Sequence, residues 1–187
     1  IWIVGPDGKG PPAGTQAVIL TKERGPGAVE AVEACLIDWL ESHWRMRKRA
    51  AVVLGGGPSS GLVAEAASAF TDTVLEAVRP VLGLEGPAGE ILAAMRWAPD
   101  LTWIVLDPAR QRSRVDLLEW LLSQRRPGIW AVVPAIDGRP DPLSAVYEPQ
   151  AAHVLEEAAP RGRGELVRAV VSHPCTCIAE PPGGAAP

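Results

Sequence analysis

Two short stretches carry residue types that could handle a phosphate ester. In the first, Ala50-Ala51-Val52-Val53-Leu54 runs directly into Gly55-Gly56-Gly57-Pro58-Ser59-Ser60-Gly61. A strand that ends in glycines ahead of a helix lets backbone N–H groups approach an anion, and the next helix turns its positive end toward it. In the second, Trp103-Ile104-Val105-Leu106 delivers Asp107 immediately before Pro108. Ligands of open α/β sheets bind outside the carboxyl ends of the strands. A carboxylate at that rim is placed to hold Mg2+ on the phosphates of a nucleotide. Both stretches also have plain readings, as a tight strand-to-helix turn and as an Asp-Pro strand terminator. The glycine stretch matches neither G-x-G-x-x-G in a usable register nor the P-loop, because Leu62 follows Gly61 where a lysine would stand.

To present these groups, strands and helices must alternate along the chain. Ile1 to Val4 and Ala17 to Thr21 read as short strands. From Ala28 to Met46, Val29, Val32, Leu36 and Leu40 recur at helical spacing, and Arg45, Arg47, Lys48 and Arg49 follow at the end that favours cations. After the glycine turn one helix is expected from Val63 to Arg79, with Phe70, Val74 and Val78 four apart. A helix from Glu90 to Trp97 follows, then Trp103 to Leu106 as a central parallel strand covered on both faces. Leu118, Leu121 and Leu122 line the next helix. Trp130 to Val133 and Leu143 to Tyr147 read as strands on either side of the turn at 137–142. Pro149 opens a helix to about Ala158, and Leu166 to Val170 is a short helix or a strand.

This alternation predicts an α/β protein, a three-layer α/β/α Rossmann-like domain with a mostly parallel sheet. That domain is expected over residues 49–178. Residues 1–48 form a βα segment, either an extra unit or a rearranged part of the core. Residues 179–187, rich in Gly, Pro and Ala, read as a disordered tail.

Composition removes several classes. The 187 residues carry 18 Lys and Arg against 22 Asp and Glu, a formal charge of −4, which argues against a nucleic-acid partner. No apolar run approaches the roughly 18 residues of a membrane span, so no membrane role is expected. Cys35, Cys175 and Cys177 are too few and too uneven for a disulfide scaffold. With no signal-peptide pattern at the amino end, a reduced, cytoplasmic setting fits. Cys175-Thr176-Cys177 beside His173 lacks the spacing and the second pair of a zinc knuckle, and reads as a strand or tail against a metal cluster. The seven Trp leave a protein partner or homo-oligomer open beside a filled core.

Four stretches in order resemble the molybdenum cofactor guanylyltransferases and related nucleotidyltransferases, over roughly residues 50 to 170. Ala51 to Ser60 resembles the family's opening strand and nucleotide loop. Gly86-Pro87-Ala88-Gly89-Glu90 resembles its second, Gly-Pro-rich turn into a helix, and Trp103 to Pro108 its strand ending in a metal-binding aspartate. Asp137-Gly138-Arg139-Pro140-Asp141-Pro142 is similar to a later segment on the acceptor side of the cleft. The resemblance implies transfer of GMP from GTP to molybdopterin with release of pyrophosphate, and Mg2+ as cofactor. It implies that Leu54, Gly55, Gly56, Gly57, Ser59, Gly86 and Gly89 bind the nucleotide, and that Asp107 is the metal-binding, catalytic residue. Arg139 would contact the acceptor's phosphate, because a guanidinium grips two oxygens; its plain reading is a solvated turn residue. The chain departs from the family at Gly61-Leu62-Val63-Ala64-Glu65, where the pattern continues to a lysine; no lysine follows Lys48. Leu106 stands where the family carries Cys before the aspartate. A catalytically silent nucleotide-binding or scaffold protein of the same fold, or a transferase using another nucleotide, is the alternative.

Overall fold

The structure, a computed structural model, describes residues 2–4, 18–20, 32–34, 36–37, 44, 47–55, 59–76, 78–80, 86–110, 115–161 and 163–181. The chain divides into two compact units, residues 1–46 and 47–187. In the first unit, strands β1 (Trp2–Val4) and β2 (Val18–Leu20) pair in parallel as a two-stranded sheet, Trp2 opposite Val18. Described residues 32–34, 36–37 and 44 are helical, as the apolar spacing predicts.

The second unit is built on a seven-stranded sheet. Its strands are β3 (Arg49–Val53), β4 (Val74–Glu76), β5 (Thr102–Leu106), β6 (Ala131–Ile136), β7 (Arg139–Pro140), β8 (Ala145–Tyr147) and β9 (Thr176–Ala179). Among them run helices α1 (Ser60–Ser68), α2 (Pro87–Trp97), α3 (Val115–Ser123), α4 (Ala151–Ala158) and α5 (Arg163–Ser172). The order across the sheet is β4-β3-β5-β8-β6-β7, with β9 on β6.

Alternation along each strand sorts the core into two faces. Ala50 and Val52 of β3, Trp103 and Val105 of β5, and Tyr147 of β8 pack with Ile91, Leu92 and Met95 of α2 and Leu155 of α4. Ala51, Val53, Ile104, Leu106 and Val146 pack on the other side with Val63 and Ala67 of α1 and Leu118 and Leu121 of α3. Helices therefore cover both faces. All five residues of β5 are buried, which explains its unbroken apolar run. Each fully buried Leu or Ile contributes about 1.5–3 kcal/mol.

Two expectations are corrected. The sheet is mixed: β3–β4, β3–β5 and β6–β9 are parallel, whereas β5–β8, β6–β8 and β6–β7 are antiparallel. The reversal follows from the hairpin between β6 and β7. Asp137 and Gly138 adopt φ of 51° and 70°, the backbone of a tight Asp-Gly hairpin turn, and send the chain back so that β8 enters between β5 and β6. The helix expected from Val63 to Arg79 also stops at Ser68, and Val74 instead pairs with Ala51 as part of β4. Thr71 drives the change of direction: its hydroxyl donates to the Arg49 carbonyl and accepts the Thr73 N–H. Residues 166–170 resolve to helix in α5, and Ala179, placed in the tail from the sequence, belongs to β9.

Candidate functional site at the carboxyl rim

Strands β3 and β5 end side by side. Val53 is opposite Leu106, and the Leu54 N–H donates to the Leu106 carbonyl at 2.8 Å, extending the ladder one step past β3. The next residues, Gly55 on one strand and Asp107 on the other, therefore leave the sheet as neighbours at its carboxyl rim. Leu54 itself is buried and serves the core. Gly55 turns the chain with φ of 60°, a conformation that costs a side-chain-bearing residue roughly 1–2 kcal/mol. Gly56 and Gly57 lie outside the described residues. Ser59 stands at the start of α1, where its carbonyl accepts the Val63 N–H at 3.3 Å.

Asp107 is half-buried, and its Oδ1 accepts the Ala109 N–H at 3.0 Å, shaping the short 3-10 turn Pro108–Arg110. The sequence reading as a strand terminator and the reading as a metal-binding carboxylate are both compatible with this bond, since a carboxylate has several acceptor sites. Among the described residues no group of three or more His, Cys, Asp and Glu is placed to hold a metal ion. Mg2+ carried on a nucleotide needs only one or two carboxylates beside phosphate and water, and an Asp at this rim suits that mode.

Gly86 and Gly89 lie at the amino end of α2. Gly86 begins α2 with φ of 84°, and its carbonyl accepts the Gly89 N–H at 3.0 Å. A Cβ at Gly86 would meet nothing within 4 Å, so glycine serves the backbone angle there rather than space. Gly89 is buried in the first turn of α2. The next residue makes the contact that the sequence reading missed: Glu90 Oε2 accepts the Gly55 N–H at 2.8 Å across 35 residues. Glu90 had counted only as the start of a helix. An acidic residue in a first helical turn after Gly-Pro was the available signal, but its partner could not be read from local spacing.

Arg139 lies apart from this group. It is exposed on β7, opposite Ile136 across the hairpin. Because β6 runs parallel to β5 on the far side of β8, Arg139 shares the carboxyl rim but not the β3–β5 boundary. Behind it, Asp141 is buried, and its Oδ1 accepts the Leu143 N–H at 3.3 Å.

A separate cleft of about 380 Å3 lies at the amino ends of β6 and β9, lined by Trp130, His153, Glu157, Arg161 and His173 among others. The Trp130 and His173 rings stack at 4.7 Å. The Cys175 N–H donates to His173 Nδ1 at 3.2 Å, and Cys177 lies in β9 opposite Val132. This places the Cys-Thr-Cys stretch in a strand and its entry turn. No described helix is long and apolar enough to cross a membrane.

Solved structures share this architecture. The chain is similar to molybdopterin-guanine dinucleotide biosynthesis protein A from Archaeoglobus fulgidus, with a TM-score of 0.50 at 18% identity over 71% of this chain and 83% of that one. It is also similar to a putative protein from Aquifex aeolicus VF5, with a TM-score of 0.54 at 15% identity over 72% and 88% of the two chains. What is shared is the α/β fold, with helices on both faces of a mixed sheet. Its structural similarity reaches the kind of protein that the four sequence motifs resemble, at an identity that speaks for the fold alone. No protein-family model and no curated protein matches the sequence.

Proposed function

We propose that the second unit is a nucleotidyltransferase that moves GMP from GTP to molybdopterin. The observation that carries this reading is the delivery of a glycine turn and Asp107 by adjacent strands to one rim of a nucleotidyltransferase-like sheet. The triphosphate would lie along that rim, near Gly55, Ser59, Gly86 and Gly89. Asp107 would hold Mg2+ on the phosphates, where the cation would neutralise charge as the transition state forms. The terminal phosphate oxygen of molybdopterin would attack the α-phosphorus of GTP. The bond from that phosphorus to the bridging oxygen would break, and pyrophosphate would leave with the electron pair. Exposed Arg139, further along the rim, would grip the acceptor phosphate.

A second reading, a nucleotide-binding or scaffold protein without turnover, is favoured by two observations. No lysine follows Lys48, and the Gly55 N–H already has a carboxylate partner. Calorimetric titration with GTP, and with CTP and ATP as controls, with and without Mg2+, separates the readings when followed by a pyrophosphate-release assay with molybdopterin. GTP-selective, Mg2+-dependent binding with pyrophosphate release supports transfer. Binding without release supports the silent nucleotide-binding protein, and folded protein that binds none of the three at two temperatures sinks the transferase and leaves a scaffold of the same fold.

A further inference from the structure

The contact between Glu90 and Gly55 bears on what the rim can accept, and it rests on the nucleotide-binding reading above. The N–H of Gly55 is the first donor past β3 that the sheet ladder does not use, where a phosphate cradle would begin. Glu90 Oε2 occupies it at 2.8 Å. Carboxylate and phosphate oxygens are both acceptors, so the single proton of that N–H serves one of them at full strength. The conflict is also one of charge. Glu90 sits in the first turn of α2 and bonds Gly55, and Asp107 follows the neighbouring strand, so an incoming polyphosphate meets two carboxylates at this rim. Like charges brought together at a binding surface are strongly disfavoured.

We infer that Glu90 is a specificity-determining gate at the glycine turn. Its carboxylate closes the Gly55 N–H to free polyphosphate, and the site takes a nucleoside triphosphate only as its Mg2+ complex. With the phosphate charge partly neutralised, Glu90 can yield the N–H or remain beside the bound complex. Without the cation it repels the ligand and keeps the donor.

The test compares wild type, Glu90→Gln and Glu90→Ala by calorimetric titration with GTP and with inorganic pyrophosphate, in EDTA and in excess Mg2+. Glutamine keeps an acceptor for Gly55 and removes only the charge, which guards against loss of the local fold; circular dichroism checks all three proteins. Both variants are expected to bind GTP and pyrophosphate in EDTA roughly tenfold or more tightly than wild type, with the gap narrowing in Mg2+. Equal affinities in EDTA overturn the inference, as does weaker binding by the variants, which would make Glu90 a support of the turn. In both cases a wild type that binds GTP with Mg2+ leaves the nucleotide reading standing. Variants that bind while wild type stays silent even in excess Mg2+ overturn the inference, since Glu90 would then block the site rather than admit the Mg2+ complex. If all three folded proteins stay silent with Mg2+, the nucleotide reading fails and the gate with it.

Discussion

The two rims of the same sheet are built on opposite plans. At the amino rim, polar groups are buried and matched to one another. Glu148, with 4% of its side chain exposed, accepts from Arg125 at 2.7 Å, from the Thr102 hydroxyl at 2.8 Å and from Arg47 at 3.4 Å. Arg125 also donates to Thr102 Oγ1 at 2.8 Å. At the carboxyl rim the chain instead turns at Gly55 and at Gly86, and half-buried Asp107 and exposed Arg139 stand at the boundary with water. A buried charge without its partner is costly, so a closed network fixes the fold but leaves little for a ligand. The rim that ends in turns carries the groups proposed to meet a ligand. The difference separates residues that hold the protein together from residues proposed to act.

The largest effect should come from opening the closed rim. Arg125→Ala leaves buried Glu148 with the Thr102 hydroxyl and, as its one remaining cation, the longer Arg47 contact, and is expected to cost about 3 kcal/mol in urea unfolding, without changing GTP affinity in protein that remains folded. A loss below about 1 kcal/mol would remove the contrast between the rims.

Asp107→Ala should do the reverse. Mg2+-dependent affinity for GTP is expected to fall at least about tenfold in calorimetry. The unfolding midpoint should move little, because the carboxylate is half-buried and its described bond is local. An equal affinity would take Asp107 out of the proposed site.

A third measurement reads the core between the rims. Tyr147 is the only tyrosine; it is fully buried, and its hydroxyl donates to the Pro142 carbonyl. Burial, and then the charge of Asp141, push its ionisation far above the ordinary phenol value. The unfolded chain loses this proton near pH 10 while the folded chain keeps it. This group's contribution is therefore present below about pH 10 and declines above it by up to about 1.4 kcal/mol per pH unit. In an alkaline titration, tyrosinate absorbance should appear only with unfolding. Tyr147→Phe should remove that part of the pH dependence and lose about 1 kcal/mol at neutral pH. Tyrosinate signal from folded protein near pH 10 would contradict the burial.

The smallest effect is expected at Arg139. Its replacement by Ala should change stability by less than about 0.5 kcal/mol, as for an exposed residue, while weakening the acceptor's contribution to pyrophosphate release. Unchanged kinetics with molybdopterin would return it to a solvated turn residue.

Sequence periodicity alone made most of the second unit's elements legible. Continuous apolar runs located β3 and β5 and the Gly-Pro turn marked the start of α2, whereas the turn expected at 137–142 hid β7 (Arg139–Pro140) and its hairpin. It misled between Ser68 and Glu76, where Phe70, Val74 and Val78 keep a helical interval although the Thr71 hydroxyl bonds had already turned the chain into β4. It also misled on strand direction, where a mostly parallel sheet was expected, because a strand buried on both faces has the same composition whichever way it runs.

The sequence by itself determined which residues could handle a phosphate, a glycine turn after one strand and an aspartate after another, since these depend on neighbours a few positions away. Only the tertiary structure decided that those strands are adjacent, that Arg139 lies beyond β8, and that the first N–H of the glycine turn is held by Glu90. Such contacts join residues 35 or more positions apart. The strand pairings arise because buried backbone groups must find partners wherever the packed chain brings them, and the exposed Glu90 contact forms because α2 packs on the face of β3.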